Sequence, residues 1–263
     1  INKPAGMVVH PAAGNWSGSL LNALLFHAPQ LKDVPRAGIV HRLDKDTSGL
    51  LVVAKTLAAQ TNLVRQLQAR TVKREYRAIV WGQLWRNGVV DQPIGRDPRS
   101  RTKMAINRMG KPAITRYEIL ERFSVQTYLR LNLETGRTHQ IRVHLQFLKA
   151  PIVGDPVYGF RNIVPIRAMT QTLRDAVSQF NRQALHAIKL GLLHPATNEF
   201  VEWQIELADD MKALLEAMRH EDPRDEDEEA FEFSSEPYLA DEDYEEDGDY
   251  DDEDDEFDID DEA

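Results

Sequence analysis

The chain of 263 residues contains no cysteine, which excludes a disulfide framework, thiolate metal ligands and a thiol nucleophile. It also lacks a long apolar run, because the longest one, Leu50–Ala54, falls far short of the roughly 18 residues that a membrane span needs. No signal-peptide pattern opens the chain. Together these absences predict a cytoplasmic protein that makes no contact with a membrane.

Sequence motifs of nucleotide and metal chemistry are missing as well. There is no Walker A loop, no GxGxxG loop and no serine nucleophile elbow. The string "HRLD" (41–44) differs in residue order from the catalytic loop of protein kinases. His139 and His144 are five residues apart, which places them about 140° apart around a helix and off a common metal-binding face. We therefore expect neither a metal nor a cofactor.

The net charge of −11 conceals two regions of opposite charge. Residues 221–263 contain 26 acidic residues and one Arg, a net of −25, which leaves 31 basic and 17 acidic residues, a net of +14, in 1–220. The tail is predicted to be disordered, because its like charges repel and it has little apolar surface to bury. The basic body favours a polyanionic ligand, most simply nucleic acid, although some basic domains are merely soluble.

Hydrophobic periodicity predicts an α+β body with a mixed, mainly antiparallel sheet. Alternation of period two predicts a half-buried strand in "VQTYLRLNL" (125–133) and further strands in "REYRAIVWG" (74–82) and "FVEWQIEL" (200–207). Helical spacing predicts helices in "TLAAQTNLVRQLQAR" (56–70), in "RTHQIRVHLQFL" (137–148), capped by Thr138, and in "DDMKALLEAMR" (209–219). Residues 159–183 resemble an inserted, partly helical segment. The strands follow one another without a regular βαβ alternation, which favours α+β.

Two carboxylates, Asp44 and Asp46, lie among cations in "GIVHRLDKDTSG" (38–49). Asp46 begins an ordinary turn sequence, and a charged turn is usually just solvated. Asp44 lies between Arg42 and Lys45, and neighbouring cations keep a carboxylate ionised even when it is partly buried. A desolvated, ionised carboxylate can act as a nucleophile or a base. A solvated turn and a catalytic acid both remain open at this point.

A second cationic loop follows in "GRDPRSRTKMAINRMGK" (95–111). Its glycine, proline and serine content predicts a loop or hairpin. Its six cations are Arg96, Arg99, Arg101, Lys103, Arg108 and Lys111. They suit an element that grips phosphates as well as a solvated hairpin.

The string "AGIVHRLDKDTSGLLVVAKT" (37–56) closely resembles the catalytic motif of the RluA-type pseudouridine synthases. "KREYRA" (73–78) is similar to the motif that carries the active-site tyrosine of that family, and "LETGRTHQIRVHL" (133–145) to one that carries an apolar and then a basic residue. "NKPAGMVVHPAAG" (2–14) and "PIVGDPVYG" (151–159) match further signatures. The resemblance covers 1–219 and is closest to the D-type members, which modify large-subunit ribosomal RNA.

This resemblance implies the pseudouridine synthase fold, with flanking helices and a catalytic cleft across the sheet. It implies that Asp44 is the catalytic aspartate, that Tyr76 stacks on the target base and that Arg142 pairs with Asp44. Arg42 then helps to displace the flipped uridine, and Ile141 packs under the site. The other residues assigned to RNA binding are His41, Arg96, Arg99, Arg101, Lys103 and Arg108.

The expected organisation is a catalytic domain in 1–220 followed by the acidic tail in 221–263, which is not part of the family pattern. Because the chain starts at Ile1, we expect the upstream RNA-binding domain of D-type members to be missing. The expected partners of this monomer are large-subunit ribosomal RNA and ribosomal assembly intermediates. The alternatives are a transfer-RNA synthase of the same family and a non-catalytic RNA-binding assembly factor. A pure binder needs no acid in its RNA cleft, which disfavours the last.

Overall fold

The computed structural model describes residues 1–11, 16–100, 102–160 and 169–221. The predicted acidic tail beyond residue 221, Arg101 and residues 161–168 of the predicted insertion lie outside these ranges. No helix within them is both long and apolar enough to cross a membrane.

The described chain alternates short strands with five α-helices. The strands are β1 (Asn2–Lys3), β2 (Ser48–Leu50), β3 (Lys73–Trp81), β4 (Gly88–Asp91), β5 (Ile94–Arg96), β6 (Met104–Ile106), β7 (Ile114–Arg122), β8 (Gln126–Leu133), β9 (Leu185–Leu193) and β10 (Phe200–Gln204). The helices are α1 (Leu20–His27), α2 (Leu57–Gln68), α3 (Gln140–Phe147), α4 (Gln171–Ser178) and α5 (Asp209–Glu221).

Eight strands form one sheet in the order β1-β2-β9-β3-β8-β7-β4, with β10 paired to β9. Only β2 and β9 run parallel, and the other pairs are antiparallel. β5 and β6 form a separate two-stranded ribbon, which we call the basic hairpin. The predicted α+β class and mainly antiparallel sheet are thus confirmed.

The centre of the sheet is the best-buried part of the molecule. Ala78 and Ile79 of β3 and Leu129 and Leu131 of β8 have no exposed surface, and burying such a large aliphatic side chain stabilises a fold by about 1.5–3 kcal/mol. The prediction that 125–133 is half-buried is wrong for the first half of β8, where both faces are covered. Gln126 is as fully buried as Leu129, and its side-chain amide lies 3.8 Å from the sulfur of Met169.

The helices confirm the periodic pattern but not every predicted end. α2 begins after Thr56, whose side chain accepts the Ala59 N–H, and α5 spans the predicted stripe. The predicted Thr138 cap of α3 is wrong, since the cap residue is His139, in the left-handed region at φ 54° with no side-chain capping bond. The Gln140 side chain instead ties down the entering loop by accepting the Arg137 N–H at 3.0 Å.

Candidate active site

A cavity of about 430 Å³ opens between the loop that follows residue 40, the end of α2, strand β3 and the segment from the end of β8 into α3. Six of the residues predicted to form the site line this cavity: His41, Arg42, Asp44, Tyr76, Ile141 and Arg142. The described cations of the basic hairpin that were assigned to RNA binding, Arg96, Arg99, Lys103 and Arg108, are not among its lining residues. The cavity therefore brings together the loop, β3 and α3 residues, and the hairpin cations lie elsewhere.

The loop that carries Asp44 is fixed by its own backbone and by a buried lysine. The Asp44 carbonyl oxygen accepts the Thr47 N–H at 3.0 Å. Lys3, with 1% of its surface exposed, donates from Nζ to the Lys45 carbonyl oxygen at 2.8 Å. Gly49 has a φ of +117°, and a Cβ there would lie 2.2 Å from a backbone oxygen of β9. Only glycine fits where the loop enters the sheet.

Arg142 joins two carboxylates at the base of the cavity. Its Nη1 donates to Asp44 Oδ2 at 3.0 Å, while Nε and Nη2 donate to Oδ2 and Oδ1 of Asp155 at 2.7 and 2.9 Å. Asp155 Oδ1 also accepts the N–H groups of Val157 and Tyr158, each at 2.9 Å. The Nε and Nη2 side of the guanidinium is thus held by Asp155, and Nη1 donates to Asp44.

These contacts set the charge of the site. Burial alone would raise the pKa of Asp44, but the cations around it, His139 when protonated, Arg142 and Arg42, bring the pKa below its ordinary value. For Arg142, burial alone would lower the pKa, because it disfavours the charged guanidinium. The hydrogen bonds to Asp155 and the charge of Asp44 outweigh burial and raise the pKa. Asp44 is therefore ionised at neutral pH, and Arg142 is its permanent cationic partner.

Tyr76 lies on β3 with 5% of its surface exposed. Burial raises the pKa of its phenol, so the ring is neutral at physiological pH and presents an aromatic surface to the cavity. Ile141, which is 4% exposed, lies in the first turn of α3 directly before Arg142. A flat neutral ring and an aliphatic side chain beside an ionised acid suit a pocket for a planar base.

His41 was assigned to substrate binding, and its ring also holds the loop in place. Its Nε2 accepts the Val52 N–H at 3.1 Å. Burial lowers the pKa of His41 to about 3, helped by the charge of Arg74. The imidazole is therefore neutral and does not offer a charge to a phosphate.

Asp155, Tyr158 and His139 were not assigned to the site from the sequence. His139 Nδ1 lies 2.8 Å from the Tyr158 hydroxyl, which also accepts the Met104 N–H at 2.8 Å, and His139 Nε2 lies 4.0 Å from Asp44 Oδ2. Both Asp155 and Tyr158 belong to "GDPVYG", a string that resembles an ordinary Asp-Pro turn. Only its match to a family signature indicated that these two residues could belong to the site.

No group of three or more His, Asp or Glu side chains in the described ranges could hold a metal ion. Asp44 and Asp155 share Arg142, so a cation already lies between these two carboxylates. The chemistry available here is that of one ionised acid beside an arginine and an aromatic ring.

Comparisons with known proteins identify the family to which the chain belongs. Residues 1–147 match the family described as RNA pseudouridylate synthase. The chain is 60% identical over 220 residues to ribosomal large subunit pseudouridine synthase D of Nitrosomonas europaea, covering 84% of this chain and 62% of that protein. It is 54% identical over 228 residues to the protein of that name from Escherichia coli K12, covering 87% of this chain and 70% of that protein.

The similar solved structures also carry the name of RNA pseudouridylate synthases. Human RNA pseudouridylate synthase domain containing 4 is similar with a TM-score of 0.65 and 27% identity, covering 83% of this chain and 88% of that one. Human RNA pseudouridylate synthase domain containing 1 is similar with a TM-score of 0.59 and 26% identity, covering 84% and 91%. The chain thus spans nearly all of these structures, but about two thirds of the length of the bacterial relatives.

Proposed function

The chain belongs to the RNA pseudouridylate synthase family, as its motifs predicted, and we propose that it isomerises uridine to pseudouridine in large-subunit ribosomal RNA. The substrate is inferred from the names of the bacterial relatives, which refer to the large ribosomal subunit. We further infer that the protein acts as a monomer in the cytoplasm, where ribosomal assembly intermediates would present this RNA. The division into a catalytic domain in 1–220 and an acidic tail in 221–263 belongs to the same proposal.

The observation that carries this proposal is the state of Asp44. Its Oδ2 is held by Arg142, while its Oδ1 receives no hydrogen bond from the residues that the structure describes. The carboxylate is ionised, oriented on one oxygen and available on the other. A side chain in this state serves as a nucleophile or a base, and a protein that only binds RNA has no use for one in its cleft.

The reaction needs few groups besides this acid. The bond between C1′ of the ribose and N1 of uracil breaks and a bond from C1′ to C5 forms, while C5 loses a proton and N1 gains one, with no net oxidation. Asp44 would either attack C1′ or remove the proton of C2′. The target nucleotide must first leave the base stack, which costs a few kcal/mol. Stacking on Tyr76, with Arg42 in the vacated position, would offset part of that cost.

The test is the release of tritium from RNA that contains 5-tritiated uridine. We expect release from a large-subunit ribosomal transcript, and loss of that release in Asp44→Asn with RNA affinity unchanged or improved, because the amide is nearly isosteric but uncharged. Asp46→Asn is the matched control and should remain active. An Asp44→Asn variant that keeps a tenth of the wild-type rate would exclude the assignment of Asp44. Release from transfer RNA alone would favour the alternative substrate.

A further inference from the structure

The guanidinium of Arg74 is buried in the wall of the cavity with no counter-charge among the described residues. Arg74 lies on β3 two residues before Tyr76, so both side chains point to the same face of the strand, and both line the cavity. Only 8% of the Arg74 surface is exposed. Its Nε is buried with no hydrogen-bond partner among the described residues. Burial lowers the pKa of Arg74, and no carboxylate contributes to the shift.

The other buried arginines of the described chain are paired. Arg142 binds Asp155 and Asp44, and Arg182 donates to both carboxylate oxygens of Asp210 at 2.6 and 2.7 Å. Such pairing is the rule, since an isolated charge in a protein interior is costly. Among the described residues, Arg74 departs from that rule, and it lines a cavity that a ligand can enter.

The surroundings of Arg74 favour an anion. Two carboxylates line the cavity, Asp44 and Glu134, and each already has an arginine partner, Arg142 for Asp44 and Arg116 for Glu134. The loop opposite Arg74 is kept bare by Gly136, where a Cβ would lie 2.6 Å from the Arg74 Nη1 atom. The wall beside the guanidinium is therefore cationic and free of side-chain obstruction.

We propose that Arg74 is the centre of a binding subsite for one phosphate group of the RNA, next to the nucleotide that Tyr76 receives. The proposal rests on the proposed function in taking RNA as the ligand. A phosphate supplies the full negative charge that the buried cation lacks, and two of its oxygens match the fork of a guanidinium. A carbonyl oxygen of the base would leave the charge of Arg74 uncompensated.

The proposed subsite has a testable consequence for the thermal stability of the protein. If Arg74 serves the ligand, the free protein bears the cost of a buried, unpaired charge, and Arg74→Met should unfold at the same or a higher temperature than the wild type while binding RNA more weakly. If Arg74 served the fold, the same substitution would lower the unfolding temperature and leave RNA binding unchanged.

The experiment measures binding of a fluorescent single-stranded uridine 10-mer by anisotropy across a salt series, together with thermal unfolding. For Arg74→Met we expect a dissociation constant about tenfold higher at low salt, as for a lost hydrogen bond between charged groups. We also expect the slope of log affinity against log salt to fall by about 0.7, the value for one phosphate on a single strand. Arg86→Met, at an exposed arginine outside the cavity, is the matched control and should change neither quantity.

Gly136→Ala is the second variant, because its methyl group would displace the Arg74 guanidinium while the arginine stays in the chain. It should reproduce the loss of affinity, and it decides the question if Arg74→Met does not fold. An unchanged salt slope, with or without weaker binding, would overturn the phosphate subsite, as would a wild-type protein that does not bind the 10-mer. Binding with the expected slope but no tritium release from ribosomal RNA would contradict the proposed function alone.

Discussion

Replacing Arg142 with methionine should move the acid limb of the pH profile of kcat/KM to higher pH. In the wild type, burial acts to raise the pKa of Asp44, and His139, Arg142 and Arg42 outweigh it. Without Arg142 the effect of burial is less opposed and the pKa of Asp44 rises. Since kcat/KM reports the ionisation of the free enzyme, activity that needs ionised Asp44 should fail at a higher pH than in the wild type.

The same substitution should destabilise the fold by about 3–5 kcal/mol, because it leaves a buried charge without its partner. The side chains of Arg142 and Asp155 are 5% and 0% exposed, so solvent screens this pair little. Adding Asp155→Asn to Arg142→Met should recover part of the loss. The amide is uncharged, and its oxygen can still accept the N–H groups of Val157 and Tyr158.

Urea unfolding of both single variants and the double variant forms a double-mutant cycle, for which we expect a coupling of about 1–3 kcal/mol. Arg116→Met is the control, since the Arg116 side chain is 57% exposed in its pair with Glu134 and such pairs contribute about 0–1 kcal/mol. Additive effects of the Arg142 and Asp155 substitutions, or an acid limb that does not move, would refute this reasoning.

Three further predictions concern other parts of the chain. Tyr76→Ala should lose most activity, because stacking contributes about 1–3 kcal/mol per base, whereas Tyr76→Phe keeps the ring; equal losses in tritium release would contradict a role in stacking alone. The pKa of His41, lowered by burial to about 3, means that only the unfolded chain takes up this proton between about pH 6.5 and 3. The free energy of unfolding should therefore decrease as the pH is lowered across that range. Urea unfolding of His41→Gln should show a weaker dependence of this free energy on pH. A chain that ends at His220 lacks the net −25 of residues 221–263 and should bind RNA more tightly than the full chain at low salt but not at high salt, whereas equal affinities at low salt would exclude competition by the tail.

Local chemistry was enough to single out Asp44 as a candidate, although it left a solvated turn open as the alternative. Its neighbours Arg42 and Lys45 made it an unusual acid before any fold was known. The structure gives Asp44 a lowered pKa, but the cations that lower it are His139, Arg142 and Arg42, and not Lys45. The strands and helices with clear periodicity were found for a similar reason, since burial of one face leaves a repeating pattern in the sequence. The cap of α3 was missed because His139 adopts a left-handed conformation that Thr138 gave no reason to expect.

Contacts between distant residues could not be found in this way. Asp44 and Arg142 are 98 residues apart, and composition gives no information about which acid a given arginine meets. Asp155 is even harder to identify from the sequence, because it contacts Arg142 and also accepts N–H groups of its own turn. The charge of Arg74 was visible in the sequence, but the absence of a partner is a property of the folded cavity.

The basic hairpin contacts the candidate active site through its backbone, although nothing in the sequence indicated this contact. Its described cations do not line the cavity, yet the Met104 N–H donates to the Tyr158 hydroxyl. Burial raises the pKa of Tyr158 to about 12, so the phenol keeps its proton, and His139 Nδ1 is the acceptor within reach. The imidazole proton then belongs on Nε2, which faces Asp44 at 4.0 Å. The basic hairpin is therefore linked, through the Tyr158 hydroxyl, to the N–H that faces Asp44.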